Sequence, residues 1–447
     1  MAQLPPLAAI STYQAANALS DRPFTLLTWA RRRSGDAFRL PYPSRRSPLA
    51  VLSSTDDVAE FIRLADAPGS PIERGLAYAR TIADAPRGIV LRQQGDRHEQ
   101  VRSFYTALAA HASAALTVEA VKMLTTELLD DCADEWIDAR RLSDAVGMRV
   151  ALSVVCRQAS LQDGAMKSLG RARFLRPGSF LGPSFGLQLA RWRAWPTLMR
   201  DLTENRRALA LLQRDCRVPQ TRDQPPGLEP HDLAQQTNNL FAVLYGATAS
   251  AVDHVQHHLA KEEGPRHELV EALRQGGPTG RDAALDFCSE VRRLSPTNIG
   301  YMRTCNADVR LREWELPADS LILVSSYLAH RNAGVFRRPH SFSLGRFTGR
   351  AHGRHEYFPF GDGEHRCVGQ RIATNATAGV LEALAPRFDA CRRDQLSHRV
   401  ALSTGGLTRR ARPMRLRYRG GRPVLRRMGA RVETPVDSHP VESHSAG

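Results

Sequence analysis

The sequence predicts a mostly α-helical fold with smaller β regions, and three observations carry that expectation. From Asp96 to about Leu273, apolar residues recur at helical spacing in one segment after another. Short strand patterns stand on either side of that run, before residue 70 and again after Arg310. No Pro/Gly/Ser-rich linker and no internal repeat divides the 447 residues, although length alone suggests two or three domains.

Taken in order, PFTLLTWARRRSG has the spacing of a helix closed by Gly35. AFRLPY and SPLAVLSS read as two strands. STDDVAEFIRLAD opens with a capping Ser or Thr and places acids in its first turn. The helical run is interrupted by FLRPGSFLGPSFGLQLARWRAW (Phe174–Trp195), rich in Pro, Gly and Phe. Between Asn332 and Tyr357 lies a long irregular stretch of Arg, Pro and Gly, and structureless segments of that length inside a domain are usually functional.

Composition narrows the function classes. The N-terminus has no basic n-region, and no window reaches the ~18 apolar residues of a membrane span, so a soluble, cytoplasmic protein without a membrane partner is expected. The seven cysteines (Cys132, Cys156, Cys216, Cys288, Cys305, Cys367 and Cys391) contain no C-x-x-C pair, which argues for a reducing compartment and against a disulfide framework or zinc. The formal net charge is +16, but it is almost all Arg, spread along the chain. The denser run Arg409–Arg431 is read as a solvated strand and tail rather than a nucleic-acid site, and the polar stretch from residue 421 to 447 is expected to be disordered.

The chemistry concentrates in FPFGDGEHRCVGQRIAT (Phe358–Thr374). Gly361, Gly363 and Gly369 allow turns and close approach to a flat ligand around Cys367. His365 and Arg366 place positive charge beside the sulfur, the next helix presents its N-terminus, and both favour thiolate. The spacing F-x-x-G-x-H-x-C-x-G resembles the cysteine loop of the cytochrome P450 superfamily. The resemblance extends over roughly residues 20–420 and implies a single domain over 21–420, with residues 1–20 a partly flexible extension. It also implies haem b between the central helix and the cysteine-loop helix, with Cys367 as the axial thiolate.

Other motifs fall in the family's order. Glu290 and Arg293 in SEVRRLSP match its E-x-x-R helix, and Arg346 matches the third partner from the irregular stretch, so these three are expected to brace the core. His98 and Arg102 match H-x-x-x-R; with Arg303 and His365 they are expected to bind the haem propionates. The resemblance further places Phe174–Trp195 over the substrate channel. The pocket is expected to be shaped by that segment, residues 66–95, the central helix and the STGGL turn (Ser403–Leu407).

The central helix, QQTNNLFAVLYGATASAVDHVQHHL, departs from the family's (A/G)-G-x-(D/E)-T. With Gly246 as the motif's glycine, Thr248 takes the acid's place and Ala249 the threonine's, with Ser250 next; with Thr248 as the threonine, Ala247 replaces the acid. Thr248 and Ser250 are therefore the candidates for a proton relay, unless a substrate hydroxyl supplies the group. The expected reaction inserts one atom of dioxygen into an apolar small molecule, in secondary metabolism. Electrons would come from NAD(P)H through a reductase and an acidic ferredoxin or flavodoxin. The alternatives are a haem-thiolate peroxygenase, isomerase or dehydratase, and a non-enzymatic basic binding protein.

Overall fold

The computed structural model describes residues 3–43, 48–73, 95–130, 135–155, 230–392, 399–402, 407–410 and 414–420. The Phe174–Trp195 segment, residues 74–94, residues 403–406 of the STGGL turn and the tail from residue 421 lie outside the described residues.

The N-terminal part starts with α1 (Thr12–Asp21) and α2 (Pro23–Ser34), continues through β1 (Ala37–Pro43) and β2 (Pro48–Leu52), and ends with α3 (Thr55–Ala65) and β3 (Ile72–Glu73). Ser11 and Ser54 cap α1 and α3 by accepting from Gln14 N and Asp57 N, and Gly35 closes α2 at φ 85°, as its place in the sequence requires. Residues before α1 join the sheet region: Gln3 N donates to Glu313 O, and Ala8 N to Arg39 O.

The helical part holds α4 (Gly95–Ala115), α5 (Val118–Asp130), β4 (Ile137–Asp138), α6 (Ala139–Val155), α7 (Pro230–Lys261), α8 (Glu263–Gln275) and α9 (Gly277–Leu294). Strands then begin at residue 301, earlier than the sequence pattern suggests: β5 (Tyr301–Cys305), β6 (Val309–Leu311), β7 (Trp314–Leu316) and β8 (Leu321–Val324). The single turn α10 (Ser326–Ala329) leads to the irregular stretch, the cysteine loop and α11 (Gln370–Leu384). Last come β9 (Phe388–Cys391), β10 (Val400–Leu402), β11 (Thr408–Arg410) and β12 (Arg415–Tyr418).

One sheet runs β1-β2-β8-β5-β3, with β2 and β8 parallel and the other pairs antiparallel. Alternation sends Ala50, Leu52, Ile322 and Val324 to the face covered by α3, and Phe38, Leu40, Val51 and Leu323 to the face covered by α1 and α2. A larger core fills the space between α4, α5, α6, α7, α9 and α11. The central helix α7 lies so close to α6 that a Cβ on Gly147 would sit 2.8 Å from Tyr245 O. Among the described residues no single helix is long and apolar enough to cross a membrane; α4 and α5 pass such a test only together, across a 70° bend, and Val101, Phe104, Leu108, Val121 and Leu129 of this pair are core.

The basic run near the C-terminus differs from the expectation of a solvated strand. Arg409 and Arg410 are buried in β11: Arg409 donates twice to Asp144 Oδ1 of α6 at 2.9 Å, and Arg410 N donates to Asp253 Oδ2 of α7 at 3.0 Å. A single sequence conceals this because the acids that neutralise the arginines belong to distant helices.

Candidate active site

Cys367 lies two residues before Gly369, the N-cap of α11, at the end of a loop that is turned by Gly361 (φ 74°) and Gly363 (φ 71°). Cys367 N donates to Phe360 O at 2.9 Å and closes the loop, and Gly363–His365 forms one 3₁₀ turn inside it. The cysteine is exposed, yet the surrounding protein desolvates its thiol and pushes its pKa up. The Gly369 amide, Arg102 and Arg366 pull the other way without overcoming burial. A bound metal ion would add positive charge beside the sulfur and favour thiolate.

The expected rim residues are divided between two sides of this loop. His98 is buried on α4 with its ring 4.4 Å from that of His365, and Arg102, one turn later, donates from Nη2 to Arg366 O at 3.1 Å. Arg303 is buried in β5, where desolvation lowers its pKa while Tyr301 and Asp66 raise it. The Tyr301 ring lies against Gly361, so β5 reaches the loop there.

The bracing residues do meet. Glu290 and Arg293 are wholly buried on α9 and pair through two bonds, Nε–Oε2 at 2.7 Å and Nη2–Oε1 at 2.8 Å. Arg293 also donates to His330 O, Pro339 O and Ser341 O, which employs all five of its N–H groups. Arg346 Nε bonds both Glu290 oxygens at 3.0 and 3.1 Å, and Ser343 N donates to Oε1.

Sequence reasoning missed two partners in this region. Asp286, one turn before Glu290, accepts from Gly345 N and Phe347 N at 2.6 Å each. His330 accepts from Phe358 N through Nε2 at 3.0 Å and so fixes the chain where it enters the cysteine loop. Asp286 falls at i−4 from Glu290, a spacing that could have marked it as sharing the same helix face. His330 carries no such signal.

The central-helix candidates are placed differently from each other. Ser250 is wholly buried, and its Oγ donates to Thr408 O at 2.5 Å. Thr408 Oγ1 donates to Pro296 O at 2.6 Å, so His254 Nε2, 2.8 Å from the same oxygen, must carry the proton it shares. Ser250 and His254 thus fasten β11 to α7. Thr248 is buried, two residues from Ser250 and on another face of the helix. Among the described residues, Val243, Ala247 and Ala251 form an accessible alkyl stripe on α7.

The cysteine loop lies beside buried His98 and Arg303 and half-buried Arg102, and comparison with known proteins gives these a context. The family profile Cytochrome P450 matches residues 283–413. Among curated relatives, Cytochrome P450 3A1 of Rattus norvegicus is 28% identical over 190 residues, 39% of this chain and 37% of the relative. Cyclooctat-9-en-7-ol 5-monooxygenase of Streptomyces melanosporofaciens is 29% identical over 174 residues, 36% of this chain and 38% of the relative. The chain thus aligns with well under half the length of these two relatives. A solved structure, P450 OxyD, described as involved in the biosynthesis of vancomycin-type antibiotics, superposes with a TM-score of 0.64 over 91% of this chain and 99% of its own, at 19% identity. The family profile thus covers the C-terminal part of the chain, and the solved structure shares its fold. That profile implies a haem-thiolate cofactor, and the residues present fit one: an exposed cysteine, two glycines without side chains to fill the loop, and two arginines and two histidines to meet an anionic rim.

Two outcomes are expected. Arg293→Lys keeps the charge but loses the planar fork, and should cost about 3–5 kcal/mol in urea unfolding, the range for breaking a buried pair. Burial holds the pKa of His254 and His330 well below the usual 6.5, so in the folded protein both stay neutral where the unfolded chain takes up protons. Stability is therefore lost as pH falls below about 6.5, by up to ~1.4 kcal/mol per pH unit per histidine. Melting temperatures between about pH 7.5 and 5.5 should show this fall, and His330→Gln, which keeps an acceptor for Phe358 N, should flatten it.

Proposed function

We propose that the protein is a monooxygenase that inserts one oxygen atom from dioxygen into an apolar small molecule, with haem b held by Cys367. The observation that carries this reading is the glycine-turned cysteine loop, which presents one exposed cysteine near Arg102 and Arg366. When bound, the haem would supply oxygen activation, favoured by axial thiolate. His98, Arg102, Arg303 and His365 would meet its anionic edge, where charge-assisted hydrogen bonds offset the burial of two carboxylates. Glu290, Arg293 and Arg346 hold the irregular stretch against α9 and thereby fix the approach to the loop. The alkyl stripe Val243–Ala247–Ala251 suits an apolar substrate.

Electrons would come from NAD(P)H through a reductase and a separate acidic ferredoxin or flavodoxin. Exposed Arg354, Arg366 and Arg371 around the cysteine loop and the net charge of +16 favour such a partner by steering. A role in secondary metabolism is supported by the biosynthetic P450 OxyD and by the Streptomyces monooxygenase.

One observation favours a second reading. Ser250 Oγ is committed to Thr408 O, which takes one of the two candidate alcohols away from proton delivery to dioxygen, and the accessible Val243–Ala247–Ala251 stripe adds none. Peroxide would bypass that need by carrying its own protons: substrate R–H and hydrogen peroxide give R–OH and water.

The reduced protein with carbon monoxide should give the Soret band of an intact thiolate ligand, and Cys367→Ser should abolish it. No haem, or an unchanged spectrum in the variant, would overturn the assignment. Turnover with hydrogen peroxide and no reductase, at a rate matching the reductase-driven reaction, would select the second reading.

A further inference from the structure

The cysteine loop contains a buried acid that neither the thiolate nor the rim uses. The side chain of Asp362 is 3% exposed. Its Oδ1 accepts from Gly363 N at 2.8 Å, at the N-cap of the Gly363–His365 turn, and from Arg354 Nε at 2.5 Å. Its Oδ2 lies 3.2 Å from His355 Nδ1. Arg354 and His355 belong to the irregular stretch, so one carboxylate ties that stretch to the turn that carries the chain to Cys367. On the other side stands Asp66, the C-cap of α3: its Oδ1 accepts from Glu364 N at 3.4 Å, and its carboxylate fills the space that a Cβ on Gly363 would need.

The turn therefore cannot be stiffened by a side chain of its own. Gly361 and Gly363 both have φ near 70°, and a glycine-rich segment loses more conformational entropy on ordering than any other. Its rigidity has to come from groups that grip its backbone. Arg366 N donates to Gly363 O at 3.1 Å, so a shift of Gly363 is passed on to the residue next to Cys367.

We propose that Asp362 is a positioning residue for Cys367: by capping Gly363 while held by Arg354, it sets where the sulfur stands at the end of the loop. This rests on the reading of Cys367 as the haem ligand. It concerns a position that no motif in the sequence marks, and it acts through the backbone without touching the cofactor. Supporting groups of this kind commonly control ligand geometry at metal centres.

The test compares Asp362→Ala with Asp362→Asn in the full-length, haem-loaded protein. Asn keeps an oxygen for Gly363 N, whereas Ala removes the cap. In the carbon monoxide spectrum of the reduced protein, Ala should raise the share of the neutral-thiol band several-fold, and Asn should restore most of the thiolate band. A general loss of stability would lower the melting temperature without moving that ratio. In the haem-free protein, amide exchange in residues 360–367 of the Ala variant should quicken by about tenfold while α9 stays unchanged. A wild-type band ratio and wild-type exchange in Asp362→Ala would overturn the proposal. Absence of a thiolate band in the wild type would instead overturn the ligand assignment, leaving the exchange measurement to judge the cap.

Discussion

Glu290 and Arg293 have no contact with solvent, and the cost of burying either charge alone would exceed any packing it gained. Burial is tolerated because every donor of the guanidinium is used, and because Arg346 and Ser343 N complete the carboxylate. The carbonyls and amides that satisfy the pair come from residues 330–346, a stretch without regular structure. An irregular chain has no ladder of its own to satisfy its backbone, so it depends on side chains from α9. The pair thus needs the irregular stretch and the stretch needs the pair.

The cysteine loop depends on the same arrangement. His330, whose carbonyl is held by Arg293, receives Phe358 N at the loop's entrance. Asp286 holds Gly345 and Phe347, and Tyr357 donates to Ser289 O of α9. From Asp286 to Arg293, α9 therefore fastens most of the path that leads to Cys367. The sulfur's position is inherited from this scaffold, in which rigidity is supplied by side chains and the loop itself stays rich in glycine.

The central helix shows a trade between anchoring and chemistry. Ser250, Asp253 and His254 are polar residues in a buried helix, and each is engaged with β11 at Thr408 or Arg410. Together with Asp144 and Arg409 they form a polar seam across α6, α7 and β11. The accessible Val243–Ala247–Ala251 stripe of α7 is alkyl. The missing acid–alcohol pair is thus more than a substitution at two positions, since one of the two candidate hydroxyls, Ser250, is committed to holding a strand.

Much of this was legible in the chain itself. The spacing around Cys367, of Glu290–Arg293 and of His98–Arg102 follows local geometry: a turn, or two residues one helical turn apart, fixes their relation whatever the rest does. The caps at Ser54 and Gly35 and the strands either side of residue 45 are local in the same sense. Only the tertiary structure decided the partners that lie far away in sequence. Arg409 looked solvated until Asp144 came beside it, and Ser250 looked free until Thr408 arrived. Hydrogen bonding within a helix or turn is set by neighbours in the chain, whereas burial and long-range pairing are properties of the whole fold.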